Sequence, residues 1–300
     1  DLGGGGFFNG VTLTVTNSTT SHNTTGVGGG GILNNDGAVL TVTNSTFSGN
    51  SASNGGGIIS FFFSTVTITN STFSGNSAPD TAGGGADILS FSTTLTVTNT
   101  IVANSTAGGN CARFGGSVTD GGHNLDDGTT CGFTGAGCTT TSGSSFCLTN
   151  PVLDPTGLQN NGGPTQTIAL CTGTGAPRAG CTGASPAINA GDESVCSTTT
   201  GTAPVDNLDQ RGFVRPGTGA ANCSIGAFEA NSTPPPPTST PTNTPPPTAT
   251  ATPSSTGTST PTASPPPVPV MPSPISPAGL SMISLITLCM VWLLRTRLLR

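Results

Sequence analysis

A segment written nearly the same way four times leaves this chain little choice of architecture. Leu13-Thr-Val-Thr-Asn17-Ser-Thr-Thr-Ser-His-Asn23 returns as Leu40-Thr-Val-Thr-Asn44-Ser-Thr-Phe-Ser-Gly-Asn50, again as Val66-Thr-Ile-Thr-Asn70-Ser-Thr-Phe-Ser-Gly-Asn76, and more loosely from Leu95 to Ser105. Glycine clusters at 3–6, 28–31, 55–57 and 83–85 keep the same pace, giving offsets of 25 to 29 residues. A period in this range signals a solenoid, in which each repeat is one turn and buries its apolar side against the turns above and below.

Each Leu-Thr-Val-Thr run alternates apolar and polar residues, the pattern of a half-buried strand. The alternation puts Val15, Val42, Ile68 and Val97 in one interior column. A second apolar pair follows each glycine cluster, beginning at Phe7, Ile32, Ile58 and Ile88, and a third inward position is filled by Thr20, Phe47, Phe73 and Val102. Two or three short strands per repeat predict an all-β fold, with parallel β-helix coils over residues 1–110. Asn17, Asn44, Asn70 and Asn99 recur in one register just past a strand, and a ladder of side-chain amides bonded from turn to turn is expected there. The chain opens at Asp1 inside a repeat and without a basic, apolar leader, so an N-terminally truncated solenoid is expected.

Beyond residue 110 the rhythm fades. Eight of the nine cysteines lie in this part, at Cys111, Cys131, Cys138, Cys147, Cys171, Cys181, Cys196 and Cys223, while Cys289 stands apart in an apolar run. An even number in one segment predicts disulfides formed outside the cytosol, with the choice among roughly a hundred pairings left open. Residues 111–230 are expected to form a Cys-rich end of the solenoid. Asp209, Arg211, Arg215 and Glu229 make its best polar cluster, which we read as ion pairs and turn contacts of a closing cap.

Residues 233–277 hold 17 of the 25 prolines and no charged or aromatic side chain. Such a segment buries no core, so 231–277 is expected to be a disordered Thr/Pro-rich stalk reaching about 140 Å if fully extended. An apolar stretch at 278–294 follows, with Trp292 at its boundary and Arg295, Arg297 and Arg300 just beyond. That pattern predicts one transmembrane helix with a cytoplasmic tail at 295–300 and everything before it outside.

Charge narrows the function. The net charge of -6 excludes the basic stripe that nucleic acid demands. All seven basic residues are Arg, and residues 1–110 carry only Asp1, Asp36, Asp80 and Asp87 as acids and no base. A polysaccharide lyase needs a carboxylate cluster with a base, and a glycosidase needs paired carboxylates. Asp36, Asp80 and Asp87 sit at different offsets in their repeats, so no catalytic residue is assigned. No metal or cofactor is assigned either: the cysteines form no C-x-x-C pair, His22 occupies a turn slot, and His123 lies in an Asn/Asp turn with Asp120, Asp126 and Asp127.

Two resemblances refine this reading. Gly-Gly-Gly-Ile with Asn-Ser-Thr-Phe-Ser-Gly-Asn, in residues 28–76, resembles the repeat of polymorphic outer-membrane-protein and right-handed parallel β-helix proteins, covering about the first third of the chain. Ser185-Pro-Ala-Ile-Asn-Ala-Gly-Asp192, Asp209-Gln-Arg-Gly-Phe-Val-Arg-Pro216 and Cys223-Ser-Ile-Gly-Ala-Phe-Glu229 resemble, in that order, the C-terminal end of bacterial surface proteins of the choice-of-anchor Q type. The resemblance implies a right-handed parallel β-helix that residues 111–230 finish. The expected function is a non-catalytic, cell-surface structural or adhesion protein, with the membrane and surface glycans or proteins as partners. The alternative is a carbohydrate-active enzyme whose catalytic coils lie upstream.

Overall fold

The computed structural model describes residues 4–79, 84–197 and 206–235. Most of the stalk, the apolar segment, Trp292, Arg295, Arg297 and Arg300 lie outside them. Among the described residues, no helix is long and apolar enough to cross a membrane.

The chain winds about four turns of a parallel β-solenoid. Turn one contains β1 (Phe7–Asn9), β2 (Thr12–Thr16), β3 (Thr19–Ser21) and β4 (Thr24–Gly28). Turn two repeats them as β5 (Ile32–Asn34), β6 (Val39–Thr43), β7 (Thr46–Ser48) and β8 (Ser51–Asn54), and turn three as β9 (Ile58–Ser60), β10 (Thr65–Thr69) and β11 (Thr72–Ser74). In turn four the first two strands fuse into β12 (Ile88–Thr98), which β13 (Ile101–Ala103) follows. Each strand pairs in parallel with its equivalent one turn on, so the strands after the glycine clusters, the Leu-Thr-Val-Thr strands and the Thr-Phe-Ser strands each build a flank.

The register follows the repeats. Val15, Val42, Ile68 and Val97 are cross-strand partners and all buried. Thr20, Phe47, Phe73 and Val102 form the next column, in which the Phe47 and Phe73 rings stack at 4.7 Å. Turn spacing also explains the glycine clusters: a Cβ on Gly30 would lie 2.4 Å from the Gly56 carbonyl oxygen of the next turn. Only hydrogen fits between backbones that close.

The amide ladder is not where the repeat placed it. Asn17, Asn44, Asn70 and Asn99 do share one register, but their φ values of 50, 46, 46 and 48° are left-handed. That conformation, which Asn tolerates better than most residues, makes the corner after each Leu-Thr-Val-Thr strand. Asn44, Asn70 and Asn99 donate to a later segment of chain instead of to one another. The ladder runs through the last Asn of the repeat: Asn23 Nδ2 donates to Asn50 Oδ1 at 3.0 Å, and Asn50 Nδ2 to Asn76 Oδ1 at 3.0 Å. Asn9 donates to Asn34 at 2.7 Å in another corner.

Asn50 is fully buried and also serves the Asn23 N–H and the Thr20 carbonyl. Asn50→Ala therefore strands polar groups on both neighbouring turns, and a loss of about 1–3 kcal/mol is expected, read from the midpoint of a chemical denaturation.

The solenoid continues past residue 110. β14 (Cys111–Asp120) pairs along β12 and β15 (Leu125–Asp126) along β13, while β16 (Thr134–Ala136) and β17 (Thr140–Phe146) extend the β15 side. The interior columns change character here. Cys111 follows Ile88, Asp120 follows Val97 and Asp126 follows Val102, so a disulfide and two carboxylates end what were apolar columns. Phe133 and the Cys138–Cys147 bridge pack against the same core.

Residues 150–235 do something else. β18 (Leu153–Gln159) with β19 (Thr167–Leu170), and β20 (Thr172–Thr174) with β21 (Thr182–Ala184), are antiparallel pairs, followed by one short helix, α1 (Glu193–Cys196). This part folds back along the side of the turns rather than prolonging the stack. The Cys-rich region thus contains an end piece, 111–147, and a lateral strap.

Candidate functional site

The strap meets the solenoid at the Asn corners, one turn after another. His123, at φ 53° in the same register as the four asparagines, holds Nδ1 2.8 Å from the Ala190 carbonyl. One turn back, Asn99 and Asp192 exchange two bonds, Asn99 Nδ2 to Asp192 O at 3.1 Å and Asp192 N to Asn99 Oδ1 at 2.8 Å. Asn70 Nδ2 then meets Cys196 Sγ at 3.1 Å, and Asn44 Nδ2 donates to the Leu208 carbonyl at 2.8 Å. Gln210 finishes the series: it accepts from Thr46 at 2.6 Å and donates to Thr19 at 2.8 Å. Ala190, Asp192, Cys196, Leu208 and Gln210 thereby touch successive turns from the one that holds His123 back to the first.

The charged cluster locks the returning chain. Arg211 grips Asp209 Oδ2 through Nε at 2.9 Å and Nη2 at 2.6 Å, and its guanidinium lies between the rings of Phe213 and Phe228, 4.1 and 3.7 Å from their centroids. Asp209 also accepts from the backbone N–H groups of Arg211, Phe213 and Glu229. Arg215 donates to Ser224 O, Gly226 O and Glu229, whose carboxylate in turn accepts from Ser224 and Gly217. All four side chains are buried, so Asp209, Arg211, Arg215 and Glu229 face one another and the backbone, not an open site. Of their polar atoms only Arg215 Nε is without a partner among the described residues.

The eight cysteines pair between sequence neighbours: Cys111–Cys131, Cys138–Cys147, Cys171–Cys181 and Cys196–Cys223. The first two tie the end piece. The last holds the strap shut across α1, directly over Asn70 and Asn99.

Buried carboxylates gather where turn four meets the end piece. Asp87 is completely buried; it accepts from Asn76 Nδ2 at 2.6 Å and from the Ser105 hydroxyl at 2.9 Å. Loss of solvation pushes its pKa up to about 7, with the nearby charges of Asp127 and Asp126 adding to the rise. Burial raises Asp126 as well. Asp120 is also desolvated, but the N–H of Thr134 and bonds from Ser145, Asn124 and Gly122 prevail and hold it below the usual carboxylate range.

The sign for Asp87 follows directly. Its folded pKa lies above the unfolded value of 3.8, so the folded state holds the proton more tightly and loses stability as pH rises from about 4 to about 7. The slope is at most about 1.4 kcal/mol per pH unit. Asp87→Asn keeps the acceptor for Asn76 and removes the charge. The expected result is a variant more stable than the parent at pH 8 and equal to it near pH 4, measured as denaturation midpoints across that range. A constant difference between the two proteins would refute the assignment.

Between the strap and the Thr-Phe-Ser flank lies a cleft of about 440 Å³, lined by Ser48, Ser74, Asn104, Asn150, Val152 and Ile168 among others. Asp154 borders it but is engaged by Arg178 at 2.7 Å and by Thr156. The cleft therefore presents neutral hydroxyl and amide groups. Gln210 did not stand out in the sequence, while His123, Asp120 and Asp126 read there as an Asn/Asp turn; the signal for the two aspartates was their register with Val97 and Val102. No family model, no curated protein and no solved structure matches the chain.

Proposed function

We propose that the chain is a non-catalytic cell-surface protein that displays a short, laterally strapped β-solenoid on a Thr/Pro-rich stalk. In this reading it belongs with the polymorphic outer-membrane-protein type of repeat and the choice-of-anchor Q type of C-terminal module, and residues 278–294 retain it in the membrane. The observation that carries the proposal is the fate of the polar clusters: the buried charges of the strap bond to one another and to the backbone, while the solvent face of the Leu-Thr-Val-Thr flank is uncharged and mostly Thr. Four disulfides support an oxidising compartment.

Surface display is tested by adding protease to intact cells expressing the full chain. Loss of the solenoid epitope with retention of cytoplasmic markers is expected, and an epitope that survives until lysis refutes the location. The absence of catalysis is tested separately: release of reducing or unsaturated sugars from acidic polysaccharides by the purified chain would overturn it.

A further inference from the structure

The outer face of the Leu-Thr-Val-Thr flank is a two-dimensional array. Since Leu13 and Val15 and their equivalents point inward, the residues between them point out. The first outward rank is Thr12, Val39, Thr65, Thr94 and Ser117, all exposed and all in cross-strand register. The second is Thr14, Thr41, Thr67, Thr96 and Thr119, again in register and open to solvent to varying degree. Among the described residues, none of these hydroxyls has a hydrogen-bond partner in the protein. In the third rank Thr43 and Thr69 are buried, so the open array is two ranks wide.

The array is also regular. Each strand of this flank pairs in parallel with its equivalent on the next turn, position for position and without a register shift. Stacking in constant register sets a mesh of about 4.8 Å along the solenoid and about 6.7 Å along the strand. The prism face of hexagonal ice likewise presents oxygen atoms on a rectangular mesh with spacings of the same order.

We propose that this face binds ice. Each Thr offers a hydroxyl that can enter the water lattice and a methyl group around which water is already ordered. No charge in either rank imposes a competing hydration shell, and the rigid stack fixes the side chains before contact, which lowers the entropic cost of binding. Neither rank contains an aromatic ring, amide or carboxylate to orient a sugar, which sets a polysaccharide aside. The proposal is independent of surface display, because it concerns a face of the folded chain wherever that chain resides.

The test uses the purified full chain in mild detergent against a matched detergent blank, with water ice as the probe. Thermal hysteresis, faceted crystals and inhibited recrystallisation are expected. Thr67→Lys and Thr96→Lys, each on its own, should lose most of the hysteresis while keeping the parent's denaturation midpoint, since both side chains point to solvent. Val39→Thr, which completes the first rank, should increase it. A parent chain that leaves ice growth unchanged overturns the proposal, as does undiminished hysteresis in both lysine variants, or binding to microcrystalline cellulose or chitin without any effect on ice.

Discussion

Arg215→Ala is expected to cost about 3–5 kcal/mol, because it leaves the Glu229 carboxylate buried without its counter-charge. Arg215 is the largest fully buried side chain among the described residues, and Glu229 is equally enclosed. The guanidinium also satisfies the carbonyls of Ser224 and Gly226, at 2.8 and 2.6 Å, which have no route to water once it is gone. The effect should be felt at a distance, since Gly226 N and Ala227 N bond to Asn99 O and Thr72 Oγ1 of the solenoid. Denaturation of the oxidised protein at neutral pH checks the magnitude. Removing both charges with Arg215→Met and Glu229→Gln together should recover part of the loss, because the uncompensated carboxylate, rather than the absent ion pair, dominates it. A single variant as stable as the parent would show that the strap is held by its disulfides alone.

Phe73→Ala is expected to lose a comparable amount, about 3–5 kcal/mol, for a different reason. Phe73 is wholly buried and stacks on Phe47 with the rings nearly parallel. Its removal opens a cavity in the middle of a column whose walls are the backbones of adjacent turns, and turns already in contact through Gly30 and Gly56 have no room to collapse into it. Phe73→Leu keeps an apolar side chain in the column and should lose less. Equal losses for the two variants, measured by chemical denaturation, would argue that the column tolerates voids.

Much of the solenoid was legible in advance because its physics is one-dimensional. A residue in a stacked turn touches the same residue one period away, so the period names the partners: Val42 lies between Val15 and Ile68 for no reason beyond the count of residues. The two Asn columns mark where this argument stops. Asn44 and Asn50 recur with the same period in the same phrase, and spacing does not distinguish an amide that faces its own kind from one that faces outward. The φ of 46° at Asn44 does, and that angle belongs to the corner geometry.

The strap illustrates the other limit. Its segments carry no period, and its partners lie far away in sequence: Gln210 meets Thr19 and Thr46, and Asn70 meets Cys196. Nothing local to Asp209, Arg211, Arg215 or Glu229 specifies that they close on each other, although their mixed charges marked them as candidates for burial in irregular backbone. The end piece is intermediate, since Asp120 and Asp126 stand in register with Val97 and Val102 but look like turn residues when read along the chain.

Sequence alone determined the repeating cross-section of this protein and its inward columns, because both rest on contacts that recur at a constant interval. Tertiary structure alone decided that the Cys-rich chain divides into an end piece and a side strap, which cysteines join, and which Asn column forms the ladder. Those outcomes depend on where a non-repeating chain returns in space, and the free energy that selects them is shared among contacts with no common spacing to reveal them.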